Sequence, residues 1–134
     1  MPADKPASDT PQGEISLRTV ALPANSNSAG VASGGWALAQ MDMAGGTHAI
    51  GHTGVQVVTA GADSIKFHNS INIGDEVCCY TRISRIGRTS ITIVIDIWVR
   101  RKRVGPLLKA VSGTYTYVAV DDHAKPIEIK NKTF

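Results

Sequence analysis

The sequence predicts an α+β layer protein, one long helix followed by four long antiparallel strands. Two observations carry this reading. GGWALAQMDMAGGTHAI, residues 34–50, is a proline-free run opened by glycines and apolar on several faces. After it come four segments rich in β-branched and aromatic residues, separated by the turn sequences NIGD, RIGR and VGP.

Taken in order, residues 1–13 hold three of the chain's six prolines among small polar residues and read as a tail without regular structure. EISLRTVAL (14–22) reads as a strand ended by Pro23, and ANSNSAGVAS (24–33) as a loop. The helix runs from Gly34, behind a Ser33 N-cap, to about Ile50, where the two glycines of GHTG close it. The strands are expected at 55–67, 75–84, 89–101 and 107–120. The third is the clearest, because Ile91, Ile93, Ile95, Ile97 and Val99 alternate with Thr92, Asp96 and Arg100. The organisation is therefore a single domain over residues 14–127 with a C-terminal tail at 128–134.

A chain of 134 residues, 43% hydrophobic and 19% charged, can bury one real core but not two of ordinary size. No apolar run approaches the roughly 18 residues of a membrane span, and the N-terminus has neither the basic start nor the apolar middle of a signal peptide. Cys78 and Cys79 are neighbours in a strand, so their side chains point to opposite faces and make poor disulfide partners. A cytoplasmic protein without membrane contact is expected. A net charge of +3 and only 5% aromatic residues argue against nucleic acid, while a small polyanion stays compatible.

The helix is apolar around most of its circumference and should be covered by the sheet or by a second subunit. Gly45 and Gly46 each cost a helix interior about 1 kcal/mol relative to alanine, which implies close backbone approach to a symmetry mate or a ligand. Asp42 lies nine residues past Ser33, too far along to act as a cap or to feel the helix dipole. It is either solvated or paired on a wetter face shared with Gln40 and His48, or a tuned acid among apolar neighbours. Pattern alone leaves both open.

The runs NSNSAGVASGGWALAQMDMAGG, VTAGADSIKF, INIGDEVCCY, GRTS and TYTYVAVD resemble the hotdog-fold acyl-CoA thioesterases, in the branch of the bacterial broad-range and the cytosolic animal acyl-CoA hydrolases. The resemblance spans Pro11 to about Pro126. It implies an antiparallel sheet wrapped around one long central helix, with subunits paired edge to edge as a homodimer at least and as a trimer of dimers. It implies hydrolysis of a small-molecule acyl-CoA, with no cofactor beyond the coenzyme A of the substrate. The family's acid falls on Asp42 and its partner asparagine on Asn27, eight residues before Gly35, the two meeting across the dimer interface. Asp42 would then act as general base, or as a nucleophile, while Asn27 orients water or thioester. Asn27 is equally a turn residue.

The amides of Gly34 and Gly35 at the helix start suit the thioester oxygen. Arg85, Arg88, Thr89 and Ser90, in the RIGRTS turn, and Lys109 are the substrate-binding positions the resemblance suggests for the pantetheine and phosphates. Asn69 and Ser70 stand where the family has a proline-containing segment. RRKR (100–103) reads as a solvated hairpin end that guards a sheet edge or steers a polyanion.

No metal site is expected: HAIGH has the i, i+4 histidines without the acid of a zinc-protease motif, and His48 is the better candidate for a pocket wall. Ser33 lacks a nucleophile elbow and the cysteines lack a histidine partner. Two other readings remain: an acyl-thioester dehydratase, which would want a histidine between Asn27 and Asp42, and a non-catalytic acyl-CoA binding module, which would not require Asp42.

Overall fold

The computed structural model describes residues 10–134. The elements are β1 (Glu14–Val20), α1 (Gly34–Thr53), β2 (Val57–Phe67), β3 (Glu76–Ile86), β4 (Ser90–Arg100) and β5 (Leu108–Ala119), with 3-10 turns at Pro23–Asn25 and Arg101–Arg103. Most of the tail expected at 1–13 lies outside the described residues. β1 starts at Glu14.

All five strands form one antiparallel sheet in the order β1-β3-β4-β5-β2. The helix lies across one face and touches every strand. This is the hotdog arrangement, and its reason is visible in β4. Ile91, Ile93, Ile95, Ile97 and Val99 all point inward and are fully buried, so the strand becomes the floor on which α1 rests. The helix meets it with a narrow stripe of small residues, Ala37, Ala44, Gly45 and Ala49 around Met41. Small side chains let the helix axis sit close to the sheet. The remaining apolar residues of α1 stay partly open in the single chain, Met43 being 52% exposed.

Four expectations need correction. The helix runs on to Thr53, because Gly51 is carried inside it and only Gly54 adopts the left-handed conformation (φ 73°) that ends it, its N–H bonded to the Ile50 carbonyl at 2.8 Å. Gly45 is explained within the chain, since a Cβ there would overlap the Tyr117 ring and Ile95; no symmetry mate or ligand is needed. β3, expected at 75–84, starts one residue later and ends two residues later, at Ile86, after a bulge between Ile83 and Arg85. The RRKR segment guards no edge, for it joins β4 to β5, both interior strands. Nor is all of it solvated. Arg100 pairs with Glu76 at 3.3 Å, while Arg101 donates to the buried Asp75 carboxylate and, at 3.0 Å, to the Ser70 carbonyl. Only Lys102 and Arg103 remain exposed.

The two cysteines are free, and Cys79 points into the core, where burial pushes its thiol up to about 12. Among the described residues no helix is long and apolar enough to cross a membrane. Residues 127–132 run along the body without regular structure, Ile129 buried and its N–H bonded to the Arg88 carbonyl at 2.8 Å.

Candidate active site

Asp42 sits midway along α1, half-buried, on the side of the helix that turns toward β2 and β5. Thr59 of β2 donates its hydroxyl to Asp42 Oδ1 at 2.6 Å, a short bond that fixes one carboxylate oxygen. Tyr117 of β5 donates to the Asp42 backbone carbonyl at 2.9 Å, and Tyr115 does the same to Leu38 one turn earlier, also at 2.9 Å. Both phenols stay protonated donors. Burial, and then the negative charge of Asp42, pushes Tyr115 up to about 12 and Tyr117 higher still. In front of the carboxylate is a shallow hollow walled by Leu17, Met43, Ile50 and Val57. Asp42 is thus paired, as one reading held, but with a hydroxyl and in apolar company rather than with Gln40 or His48.

His48 turns the other way. It shares a 2.8 Å hydrogen bond with the buried Thr81 hydroxyl and lies 3.5 Å from the Glu14 carboxylate, while His52 meets the Asn131 carbonyl at 2.9 Å. Neither lines the hollow at Asp42.

The second group of predicted residues gathers at the helix N-terminus. Ser33 caps it by accepting from the Trp36 N–H at 3.1 Å, and the first intrahelical bond is Ala37 N–H to the Ser33 carbonyl, also at 3.1 Å. The amides of Gly34 and Gly35 precede that bond, both residues are exposed, and nothing stands within 4 Å of the place a Cβ on Gly35 would take. The pair therefore offers two open donors at the positive end of the dipole. Asn27 lies in the loop just before. Its side-chain oxygen accepts from Ala29 N–H at 2.9 Å and Val31 N–H at 3.4 Å, which is Asx-turn chemistry, and leaves the amide nitrogen as the group that can reach a ligand.

The third group stands at the opposite end. Arg85, Arg88, Thr89 and Ser90 occupy the β3–β4 hairpin, beside the C-terminal end of α1, with both arginines exposed. Lys132, which sequence reasoning passed over, joins them by donating to the Gly87 and Arg88 carbonyls at 3.0 and 3.3 Å. Lys109 joins none of these groups: it lies on the outer face of the sheet, 5.9 Å from the centre of the Trp98 ring and 3.9 Å from Asp96.

Within one chain the predicted residues are therefore spread along a helix about 30 Å long. Asp42 stands seven residues, about 10 Å of helical rise, from Gly35, too far for both to act on one carbonyl. Thr59 and the two tyrosines were missed. The tyrosines were legible, since TYTY in a strand places both on one face; Thr59 was not, because a register shift between Thr59 and Gly61 decides where it points.

Comparison with known proteins shows the family. Residues 29–105 match the model of the thioesterase superfamily. The acyl-CoA thioester hydrolase YciA of Salmonella typhimurium is 41% identical over 121 residues, covering 88% of this chain and 91% of its own. The hexameric thioesterase y2039 of Yersinia pestis superposes with a TM-score of 0.86 at 41% identity, over 92% of this chain and 100% of that one. An acyl-CoA hydrolase from Staphylococcus aureus, solved with butyryl coenzyme A, coenzyme A and coenzyme A disulfide, superposes with a TM-score of 0.76 at 28% identity, over 84% and 69%. The hotdog fold and these relatives agree, and the chain belongs to the thioesterase superfamily, among its acyl-CoA thioester hydrolases.

Proposed function

We propose that the protein hydrolyses acyl-coenzyme A to the free acid and coenzyme A in sites built between paired subunits, each joining Asp42 and Thr59 of one chain to Gly34, Gly35 and Asn27 of the other. The observation that carries this is the Asp42 carboxylate, held by Thr59 in an apolar hollow yet about 10 Å of helix away from the only pair of open glycine amides at the start of α1 among the described residues. A two-fold pairing of sheets along β2 supplies the missing half. β2 is a sheet edge, exposed along most of its length, and Thr59 belongs to it.

The chemistry follows from these parts. The free oxygen of Asp42 takes a proton from a water as the water attacks the thioester carbon. The oxygen that becomes negative is met by the amides of Gly34 and Gly35, whose donors are already oriented. The Asn27 amide nitrogen donates to the water or to the thioester oxygen. Coenzyme A leaves as a thiolate, which needs no strong acid. Its phosphates are held by Arg85 and Arg88, with Lys132 bracing the turn. Dimers of this kind assemble three at a time into a hexamer, the state of the Yersinia protein, in a cytoplasmic setting that suits two unpaired cysteines.

The test is free-thiol release from acyl-CoA by wild type and by Asp42→Asn, which keeps size and the contact to Thr59. The expected loss in kcat is at least about 100-fold, the lower end of what a positioned base contributes, with coenzyme A binding retained. A variant as fast as wild type would remove Asp42 from the mechanism.

A further inference from the structure

A cavity of about 180 Å³ opens beside the N-terminus of α1, and the proposed reaction does not yet use it. Its depth can be read from burial. Gly34 and Phe67 are exposed and form the mouth, Phe67 remaining 58% exposed for an aromatic ring. Ala37, Ile71 and Val111 are buried and form the floor. The polar side chains at its wall are already committed. Asn69 donates to the Lys109 carbonyl at 2.8 Å, and Ser70 donates to the Asn72 side chain at 2.8 Å. No charged residue lines it. The cavity is thus built for hydrocarbon.

Its mouth is the same Gly34 whose amide would bind the thioester oxygen. A carbonyl held there sits at the mouth, where the Phe67 ring stands 3.5 Å from the place a Cβ on Gly34 would take, so the adjoining carbon chain enters toward Ala37 by turning that exposed ring aside. We infer that this cavity receives the acyl chain and limits its length, with Ala37, Ile71 and Val111 as the residues that set specificity. The inference rests on the hydrolase reading above. The buried Ala37, Ile71 and Val111 close the cavity at its inner end, so a straight saturated tail extends only as far as that floor. The preferred substrates are short, unsubstituted acyl groups: a longer chain has to fold back out past Phe67, and a hydroxylated or carboxylated one finds no unused partner inside.

The experiment measures kcat/KM for acetyl-, butyryl-, hexanoyl-, octanoyl-, dodecanoyl- and palmitoyl-CoA, with wild type, Ala37→Val and Val111→Ala. Wild type should rise to butyryl- or hexanoyl-CoA and fall at least about tenfold by dodecanoyl-CoA, since one misfitted methylene is worth about 10–200-fold. Ala37→Val raises the floor and should cut the hexanoyl-to-acetyl ratio about tenfold; Val111→Ala lowers it and should move the optimum toward octanoyl-CoA. Circular dichroism confirms that each variant is folded, and the two changes act in opposite directions, so a general loss of structure cannot imitate both. A flat wild-type profile out to palmitoyl-CoA, or a hexanoyl-to-acetyl ratio unchanged in both folded variants, overturns the assignment. Affinities for the uncleavable thioethers S-methyl-, S-hexyl- and S-dodecyl-CoA separate the two claims. If nothing is hydrolysed but S-hexyl-CoA still binds tightest, the catalytic reading fails and the acyl cavity stands; equal affinities for all three reject the cavity.

Discussion

β4 and β2 are strands of one sheet, each 11 residues long, and they sit in opposite environments. Every inward residue of β4 from Ile91 to Val99 is buried, and even its outward Trp98 is 1% exposed. β2 buries nothing fully: Val58 is 45% exposed, and its pairing with β5 breaks twice, between Thr59 and Gly61 and between Asp63 and Lys66. Ser64 even takes a left-handed φ of 57° inside the strand. A long exposed edge is an aggregation hazard that natural sheets blunt or cover. The difference separates a strand that one chain completes from one that it leaves open. β4 is finished by its own helix, whereas β2, which carries Thr59, is the exposed edge along which we propose that subunits pair.

The largest effect should come from breaking the finished side. Ile95→Ala removes a side chain from the floor beneath Gly45, with no exposed surface for the cavity to collapse toward. Denaturant unfolding should show a loss of about 3 kcal/mol, in the range for buried aliphatic truncations. A loss below about 1 kcal/mol would mean that β4 is not the packed centre. The contrasting substitution is Val58→Asp on β2. Judged from one chain it is an exposed change, worth within about 0.5 kcal/mol. If β2 joins subunits, the charge enters a contact and dimer dissociation should strengthen by at least about tenfold, ~1.4 kcal/mol. Sedimentation together with thiol release reads this, because activity should decline with the dissociated fraction. Unchanged mass and rate would move the interface away from β2.

The same contrast decides what was legible in the sequence. β4 was read without difficulty because its alternation is imposed by one buried face, and burial against α1 is local to the chain. Asp42 stood out because an acid in an apolar helix has no local justification. The end of the helix was misjudged at Gly51 because a glycine within a packed helix is tolerated, and only the left-handed cap at Gly54 stops it. Gly45 was assigned an outside partner because nothing in the linear sequence says that Tyr117, 72 positions later, lies against it. Thr59 depends on a bulge, and Lys109 on which side of a bulged β5 it emerges. Residues grouped by sequence, such as the RIGRTS turn with the glycine pair, lie at opposite ends of α1, a separation that linear spacing does not reveal.

The smallest effect tests the strand between the two. β5 pairs with both β4 and β2, and its Tyr117 ties Asp42 to the sheet through one hydroxyl. Tyr117→Phe keeps the ring that fills the space beside Gly45 and removes only that bond. At neutral pH the expected cost is about 1 kcal/mol, the typical worth of a buried neutral hydrogen bond. Alkaline titration then gives the comparison a sign. Tyr115 is pushed up to about 12 in the folded protein from its ordinary 10, and Tyr117 is also raised, so above pH 10 the folded state holds protons that the unfolded chain has lost. Stability from these phenols is fully present below pH 10 and disappears as pH climbs toward 12. The variant lacks one of the two and should decline less steeply, so the gap between variant and wild type narrows over that interval. Unfolding curves that stay parallel would show that the Tyr117 hydroxyl is not held by burial at the helix, and that Asp42 is positioned by Thr59 of β2 alone.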